Sequence, residues 1–406
     1  MMPHNAPHLT SPLLGEGYSV IVIGAGIAGA TLAHALAVRG HSVTVLERGA
    51  VANGASGNVA GVLFPQLTKQ WNASTAWYFT AYGFMLRQLQ HWRETGLEFA
   101  SAMPGMLRLP RHAEEEQQLR ALNGTLGLDT AMVHWLERDA ASAQAGVELA
   151  TGAAYFPQGT WVNAPSLCRA LLQHANIMLR SNSGVAELAR AGDGWQVTLA
   201  DGKMLMADVV CVAAAEESAA LLADYDLKLH AVGGQLSEIP AADVVRPLRS
   251  ILCHKGYVVP LTDTASSSGS SRGSIVDKVD PRDEPEDDER TKDATRYLIG
   301  ATYHREAMQA VTEARHAENI AELEKILPGW FQGKAARGRS SLRATTPDRM
   351  PYIGKLDEGL YVSTGHGSRG LLSAPLAAEM IAGAIGGEQS PVRASLMAAV
   401  DPRRFK

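Results

Sequence analysis

The segment Tyr18 to Glu47 constrains this chain's fold more than any other part of it. Tyr18 to Gly24 is an apolar run with the composition of a buried strand. The turn Gly24-Ala25-Gly26-Ile27-Ala28-Gly29 follows. Ile27 to Arg39 then reads as a helix, with Ala30, Leu32, Ala33, Leu36 and Ala37 on its apolar face, and Gly40 stops it. His41 to Glu47 is a second β run. In such a β-turn-α-β unit the first glycine permits the tight turn. The second admits a pyrophosphate close to the backbone, and the third lets the helix pack near the strand. The helix N-terminus offers N–H groups and positive dipole to phosphates. Glu47 ends the second strand, where a carboxylate accepts hydrogen bonds from ribose hydroxyls and disfavours a 2′-phosphate. A lone glycine motif is weak. Strand, turn, helix, strand and acid in sequence order specify a dinucleotide site.

The unit alone does not separate NAD from FAD. A second glycine-rich loop, Gly365-His366-Gly367-Ser368-Arg369-Gly370-Leu371, stands near the other end of the chain. An extended ligand such as FAD uses both ends, one for its ADP and one for its flavin. N–H groups leading into a helix stabilise negative charge on a reduced isoalloxazine. That helix is expected from about Ala374 to Ile385, with Ser373 as N-cap and Pro375 in the first turn.

Between these ends, residues 53 to 67 form a Gly-, Asn- and Ala-rich loop. Trp77, Ala81, Phe84, Met85, Leu89 and Trp92 recur at helical spacing, a core stripe. Trp195 to Leu199, the turn Asp201-Gly202 and Ala207 to Ala213 read as a hairpin whose last, buried strand feeds back into the first sheet. His254 to Leu261 and Arg296 to Thr302 read as two more strands. The Ser- and acid-rich segment 262–295 between them reads as a mobile surface loop.

A chain of 406 residues is long for one core, so two lobes are expected. The net charge of −5 lends no support to a basic nucleic-acid face. Arg108, Arg111, Lys334, Arg337 and Arg339 are candidates for RNA contact or simply solvated charges. Cys168, Cys211 and Cys253 lack metal-ligand spacing and suit a reducing cytoplasm. Met1 to Gly17 lacks the pattern of a signal peptide, and no apolar stretch is long enough to span a bilayer. A cytoplasmic protein without a metal is expected.

Gly54-Ala55-Ser56-Gly57-Asn58, with Gly61, Leu63, Pro65 and Leu67, resembles the flavin loop of the D-amino-acid-oxidase-like (DAO) flavoproteins. Gly256-Tyr257, Gly300-Ala301-Thr302-Tyr303, Arg343-Ala344-Thr345-Thr346-Pro347-Asp348 and Gly367 to Leu376 extend the likeness over nearly the whole chain from residue 18. Within that group these segments are most similar to the FAD-dependent domain of the bifunctional tRNA 5-methylaminomethyl-2-thiouridine biosynthesis proteins. The resemblance implies an α/β chain, α+β overall. A Rossmann-like FAD-binding domain (18–100, 161–225, 336–406) interleaves with a mixed or antiparallel-sheet substrate domain (101–160, 226–335), as in D-amino-acid and glycine oxidases. A flexible tail, 1–17, precedes them.

The implied reaction is FAD-dependent oxidation of the carboxymethylamino group on a wobble uridine of tRNA, giving an aminomethyl uridine and glyoxylate. The tRNA is then the partner. Bifunctional relatives carry a methyltransferase domain ahead of the oxidase. Only Met1 to Gly17 precede the first strand here, so no methyl transfer is expected and a separate methyltransferase is a further expected partner. Expected cofactor contacts are Gly24, Gly26, Ile27, Ala28, Gly29, Glu47 and Arg48; Ala55, Ser56, Gly57, Asn58, Gly61, Val62 and Leu63; Val185 and Ala213; and Gly365, Gly367, Ser368, Arg369, Gly370 and Leu371. No Cys follows Cys253, and His34 and His41 lie in the first helix and at its exit, so the FAD is expected to be non-covalent.

A planar guanidinium is the natural partner of a substrate carboxylate, which makes Arg343 a clamp candidate. The alternative is a structural Arg paired with Asp348. Tyr257, Tyr303 and His304 are candidates for the substrate pocket, or plain strand residues; His366 reaches substrate or flavin, or shapes the loop. No triad is expected, because orienting the C–H supplies much of the rate. Two other readings stay open: a small-molecule amine oxidase acting on glycine, sarcosine or a D-amino acid, and a non-catalytic dinucleotide-binding module.

Overall fold

The computed structural model describes residues 17–65, 71–261, 296–304, 310–335 and 337–405. The expected tail before Gly17, Leu67 of the flavin loop and the expected mobile loop 262–295 lie outside the described residues. Strand β1 (Ser19–Ile23), helix α1 (Ile27–Ala37) and strand β2 (Ser42–Leu46) form as the sequence indicates. The two strands are parallel, with Val20 opposite Val43 and Ile23 opposite Leu46.

The unit sits inside a six-stranded sheet ordered 352–357, 360–364, 209–212, β1, β2, 177–180. Its neighbours are parallel except the edge strand Tyr352–Asp357, which runs antiparallel to Leu360–Thr364. A parallel sheet must be covered on both faces, and its central strands Val209–Val212 and Leu360–Thr364 are accordingly buried along their whole length. One face is buried by α1 and the helices Ala73–Glu94, Ala164–Leu172 and Gly370–Ile385, around Val22, Leu36, Trp77, Met85, Leu171 and Leu376. The other is covered by an antiparallel three-stranded sheet, 185–191, 194–199 and 204–207, through Trp195, Val197 and Leu199. The hairpin thus feeds Val209–Val212 into the first sheet beside β1.

A third, eight-stranded sheet is ordered 337–345, 230–240, 296–300, 257–261, 251–253, 106–108, 153–156, 134–136. All of its pairs are antiparallel except 251–253 with 106–108, so it is a mixed sheet. Helix Glu313–Glu324 covers one face through Leu323, against Val258 and Ile299. The opposite face carries Leu236, Leu298, Val259 and Tyr257. A small fourth sheet, 61–63 with 160–162 and 101–102, takes up the flavin-loop segment Gly61–Leu63. The expected loop 53–67 therefore holds regular structure of its own, a 3-10 turn at Ala55–Gly57 and the strand Gly61–Leu63.

The late helix departs from its expected start. It begins at Gly370, so Ser373 is inside it and caps nothing. The Ser373 hydroxyl donates to the Arg369 carbonyl at 3.0 Å. Pro375 is the sixth residue, beyond the turn whose N–H groups are free anyway, and it removes one intrahelical bond.

The close approach of α1 to β1 is sterically absolute. A Cβ on Gly29 would stand 1.8 Å from the Gly24 carbonyl oxygen. Gly29→Ala is expected to cost about 1 to 3 kcal/mol by overpacking, read as a lower midpoint in urea unfolding with an unchanged slope.

Candidate functional site

The site is assembled where the two glycine loops meet. Gly24 has φ +103°, a conformation L side chains rarely adopt, and its N–H donates to the Leu46 carbonyl at 2.8 Å. The same turn faces Ala213, whose carbonyl would lie 2.6 Å from a Cβ on Gly24. Glu47 closes the second strand. One carboxylate oxygen accepts from Ala25 N–H at 2.8 Å and the other from Gly49 N–H at 2.9 Å. Val185 follows Ser183, whose N–H donates to the Glu47 carbonyl at 2.8 Å. Helix α1 starts with no acidic residue in its first turn and no side-chain cap on Gly26. Its first N–H, on Ile27, donates to the Ser56 hydroxyl at 2.9 Å. Gly24, Gly26, Ile27, Ala28, Gly29, Glu47, Ser56 and Ala213 thus lie around one helix terminus, while Val185 opens the strand Val185–Ala191 of the three-stranded sheet.

The second loop closes on the first. A Cβ on Gly61 would meet the Leu371 side chain at 2.7 Å, and one on Gly370 would meet Ile27 at 3.3 Å. Gly367 approaches Thr345, and His366 forms a bridge with Thr345. Val62 and Leu63 continue the strand from Gly61. Two side chains of the expected set are engaged elsewhere. Arg48 forms ion pairs with Glu216 and Glu217, and Arg369 lies over the Tyr78 ring, 5.0 Å from its centroid.

His366 is fixed on both sides. One ring nitrogen meets the Ser363 hydroxyl at 3.1 Å, the other the Ser373 hydroxyl at 2.7 Å. Burial pushes its pKa down to about 4, so the ring is neutral at physiological pH. Its hydrogen bonds support the loop-shaping alternative.

The substrate candidates are not all brought together. Arg343 lies on the long strand Arg337–Thr345 and is only 8% exposed. Its hydrogen bond is to the Thr302 carbonyl, at 3.4 Å, and among the described residues no acid forms an ion pair with it. Asp348 is not its partner. Arg404 holds Asp348 through two bonds, 2.8 and 2.9 Å. A Cβ on Gly234 would stand 2.1 Å from the Arg343 guanidinium, so the bare glycine makes room for it. Tyr257 lies on the same face of the sheet; burial raises its pKa to about 12, opposed by the nearby Arg343 charge. Tyr303 is 52% exposed. The His304 imidazole is bonded to Glu318 at 2.9 Å.

From the sequence Arg339 stands open between an RNA contact and a solvated charge, and the structure seats it against the flavin loop. Its guanidinium donates to the Asn53 and Gly54 carbonyls, both at 2.6 Å. A Cβ on Gly57 would stand 2.2 Å from it. The available signal was its spacing: four residues before Arg343 on one strand means the same face. Arg108 and Arg111, by contrast, are both paired with Glu115 at 2.8 Å.

The fold and this site define a dinucleotide-binding flavoprotein with a sheet-lined substrate lobe. The bare helix terminus, the cradle formed by Gly24, Gly26 and Gly29, and the Glu47 carboxylate fit FAD. The chain belongs to the DAO family of FAD dependent oxidoreductases, whose model matches residues 19–384. FAD is its cofactor. The chain is 33% identical to the tRNA 5-methylaminomethyl-2-thiouridine biosynthesis bifunctional protein MnmC of Pseudomonas putida (strain GB-1), over 98% of this chain and 62% of that protein. It is 33% identical to the protein of that name from Methylobacillus flagellatus, over 97% and 60%. The chain thus spans about three-fifths of the length of these relatives. Among solved structures it resembles glycine oxidase from Geobacillus kaustophilus (TM-score 0.78, 23% identity, 96% of this chain and 99% of that one). It also resembles iminodiacetate oxidase from Chelativorans sp. BNC1 (TM-score 0.74, 22% identity, 94% and 98%). Among the described residues no cluster of His, Cys, Asp and Glu could hold a metal ion, and no helix is long and apolar enough to cross a membrane.

The His366 shift has a checkable sign. Its folded pKa lies below the ordinary 6.5, so below pH 6.5 the unfolded chain takes up a proton that the folded chain refuses. Stability falls from pH 6.5 down to about 4, and this contribution is constant above 6.5. His366→Gln is expected to flatten the drop in melting temperature across that window.

Proposed function

We propose that this protein oxidises the carboxymethylamino group of a wobble 5-carboxymethylaminomethyl-(2-thio)uridine in tRNA, leaving 5-aminomethyl-(2-thio)uridine and glyoxylate. The observation that carries the reading is Arg343: a buried guanidinium with no acidic partner among the described residues, on the sheet face shared with Tyr257. A buried cation without a counter-ion is costly, and a substrate carboxylate would relieve that cost. The relatives named for tRNA 5-methylaminomethyl-2-thiouridine biosynthesis support the tRNA as carrier of that carboxylate.

In this reading Arg343 takes the glycine-like carboxylate in a two-point ion pair and fixes the adjacent CH₂. Tyr257 packs beside it, un-ionised at neutral pH. FAD, when bound, would supply the acceptor for the hydride lost from the carbon between nitrogen and carboxylate, which Arg343 holds in place. The resulting C=N bond takes up water, and cleavage leaves the amine on the uridine and releases glyoxylate. Glu47, Ser56 and the α1 terminus hold the cofactor non-covalently; Gly365 to Leu371 line its flavin end. Tyr303 serves the pocket rim. The domain segments given from the sequence, a cytoplasmic location and a methyltransferase activity completing the side chain, fused or separate, belong to the same proposal.

The structural likeness to glycine oxidase keeps a second reading, oxidation of a free amino acid. Anaerobic addition of tRNA bearing carboxymethylaminomethyl uridine should bleach the long-wavelength flavin band and release glyoxylate, while glycine and sarcosine should not. Bleaching by the free amino acids alone would sink the tRNA reading. Arg343→Met should lower kcat/KM about 100-fold or more and leave FAD bound.

A further inference from the structure

Arg339 is a second guanidinium that the clamp chemistry does not use. The strand Arg337–Thr345 pairs with His230–Pro240 in unbroken register, from Thr345 opposite His230 to Arg337 opposite Glu238. Residues 339, 341 and 343 therefore share one face, and four residues of strand separate the two Arg Cα atoms by about 14 Å. Both guanidiniums are seated against glycines, Arg343 over Gly234 and Arg339 over Gly57. Both are partly or wholly desolvated, and each contacts neutral acceptors. Arg339 bonds to two carbonyls and, at 3.5 Å, to the Asn58 side-chain oxygen. Among the described residues no carboxylate pairs with it, and burial lowers its pKa.

Two uncompensated cations on one face suit a ligand with two anions set well apart. A free amino acid has one. A modified nucleotide has its side-chain carboxylate at one end and its own phosphate beyond the base and ribose. We propose that Arg339 contacts a backbone phosphate of the RNA at the oxidised nucleotide, so that the strand selects a polynucleotide over a free amine. This rests on the tRNA reading above. FAD carries phosphates too, so the shared chemistry is a phosphate and the test must separate the two sources.

The test uses the FAD-loaded protein with two substrates carrying the same side chain: an anticodon stem-loop and the bare nucleoside, which has no phosphate. Arg339→Met should lose about tenfold in kcat/KM on the stem-loop, through KM, and change little on the nucleoside. The slope of log KM against log salt should flatten by about 0.7 to 0.9, the value of one phosphate contact. Arg339→Lys should keep the slope, which a merely structural role would not explain. Equal losses on both substrates would overturn the proposal. So would weaker FAD retention, measured by flavin fluorescence, with the substrate ratio unchanged; the phosphate would then be the cofactor's. If the wild-type protein oxidises neither substrate, the function reading fails by itself, and stem-loop binding by fluorescence anisotropy still decides Arg339. Identical affinity and salt slope in wild type and Arg339→Met would refute the contact.

Discussion

Everything in the first lobe depends on how closely α1 can approach β1. The Gly24 carbonyl and Gly29 leave no space for a single carbon atom between them. That contact aims the helix terminus at the turn, sets Ile27 against Ser56, and leaves α1 flush with the late helix Gly370–Ile385. A looser approach would separate the two glycine loops, which touch through Gly61 and Leu371 and through Gly370 and Ile27.

The second lobe contributes charge where the first contributes dipole. Its longest pair of strands, 230–240 with 337–345, carries Arg343 to the covered part of the sheet and Arg339 to the flavin loop. The proposed reaction would need little from acids and bases. His366 is neutral and fully engaged, and Tyr257 beside Arg343 holds its proton. Binding geometry is the device, and a rigid sheet is well suited to provide it.

The parts legible in the sequence were those whose cause is local. Glycine spacing and helical period placed β1, α1 and β2 to within about two residues, and the Asp201-Gly202 turn announced its hairpin. The start of the late helix was misread because Ser373 looks like a cap, whereas its hydroxyl binds back to Arg369 and to His366. The return of 209–212 to the first sheet was legible from its hairpin, and the strand lies beside β1 across nearly two hundred residues; the full order of the sheets was not, because it depends on long-range pairing. At the site, the pairing of Asp348 with Arg404 rather than Arg343 depends on the C-terminal turn folding back, which no short-range pattern reports. Arg339 stays undecided in the sequence, between an RNA contact and a solvated charge, for the opposite reason. Its alternation with Arg343 was visible, but only a strand assignment turns that spacing into a shared face.

The same interleaving shapes how the molecule comes into being. In the six-stranded sheet β1 waits for 209–212, and that strand waits for 360–364. Emerging from the ribosome, the N-terminal nucleotide-binding unit has one sheet edge open until most of the chain has been made. Such long-range pairing makes folding slow and exposes apolar strand edges meanwhile. The six-stranded sheet therefore cannot close before residues 360–364 have been made.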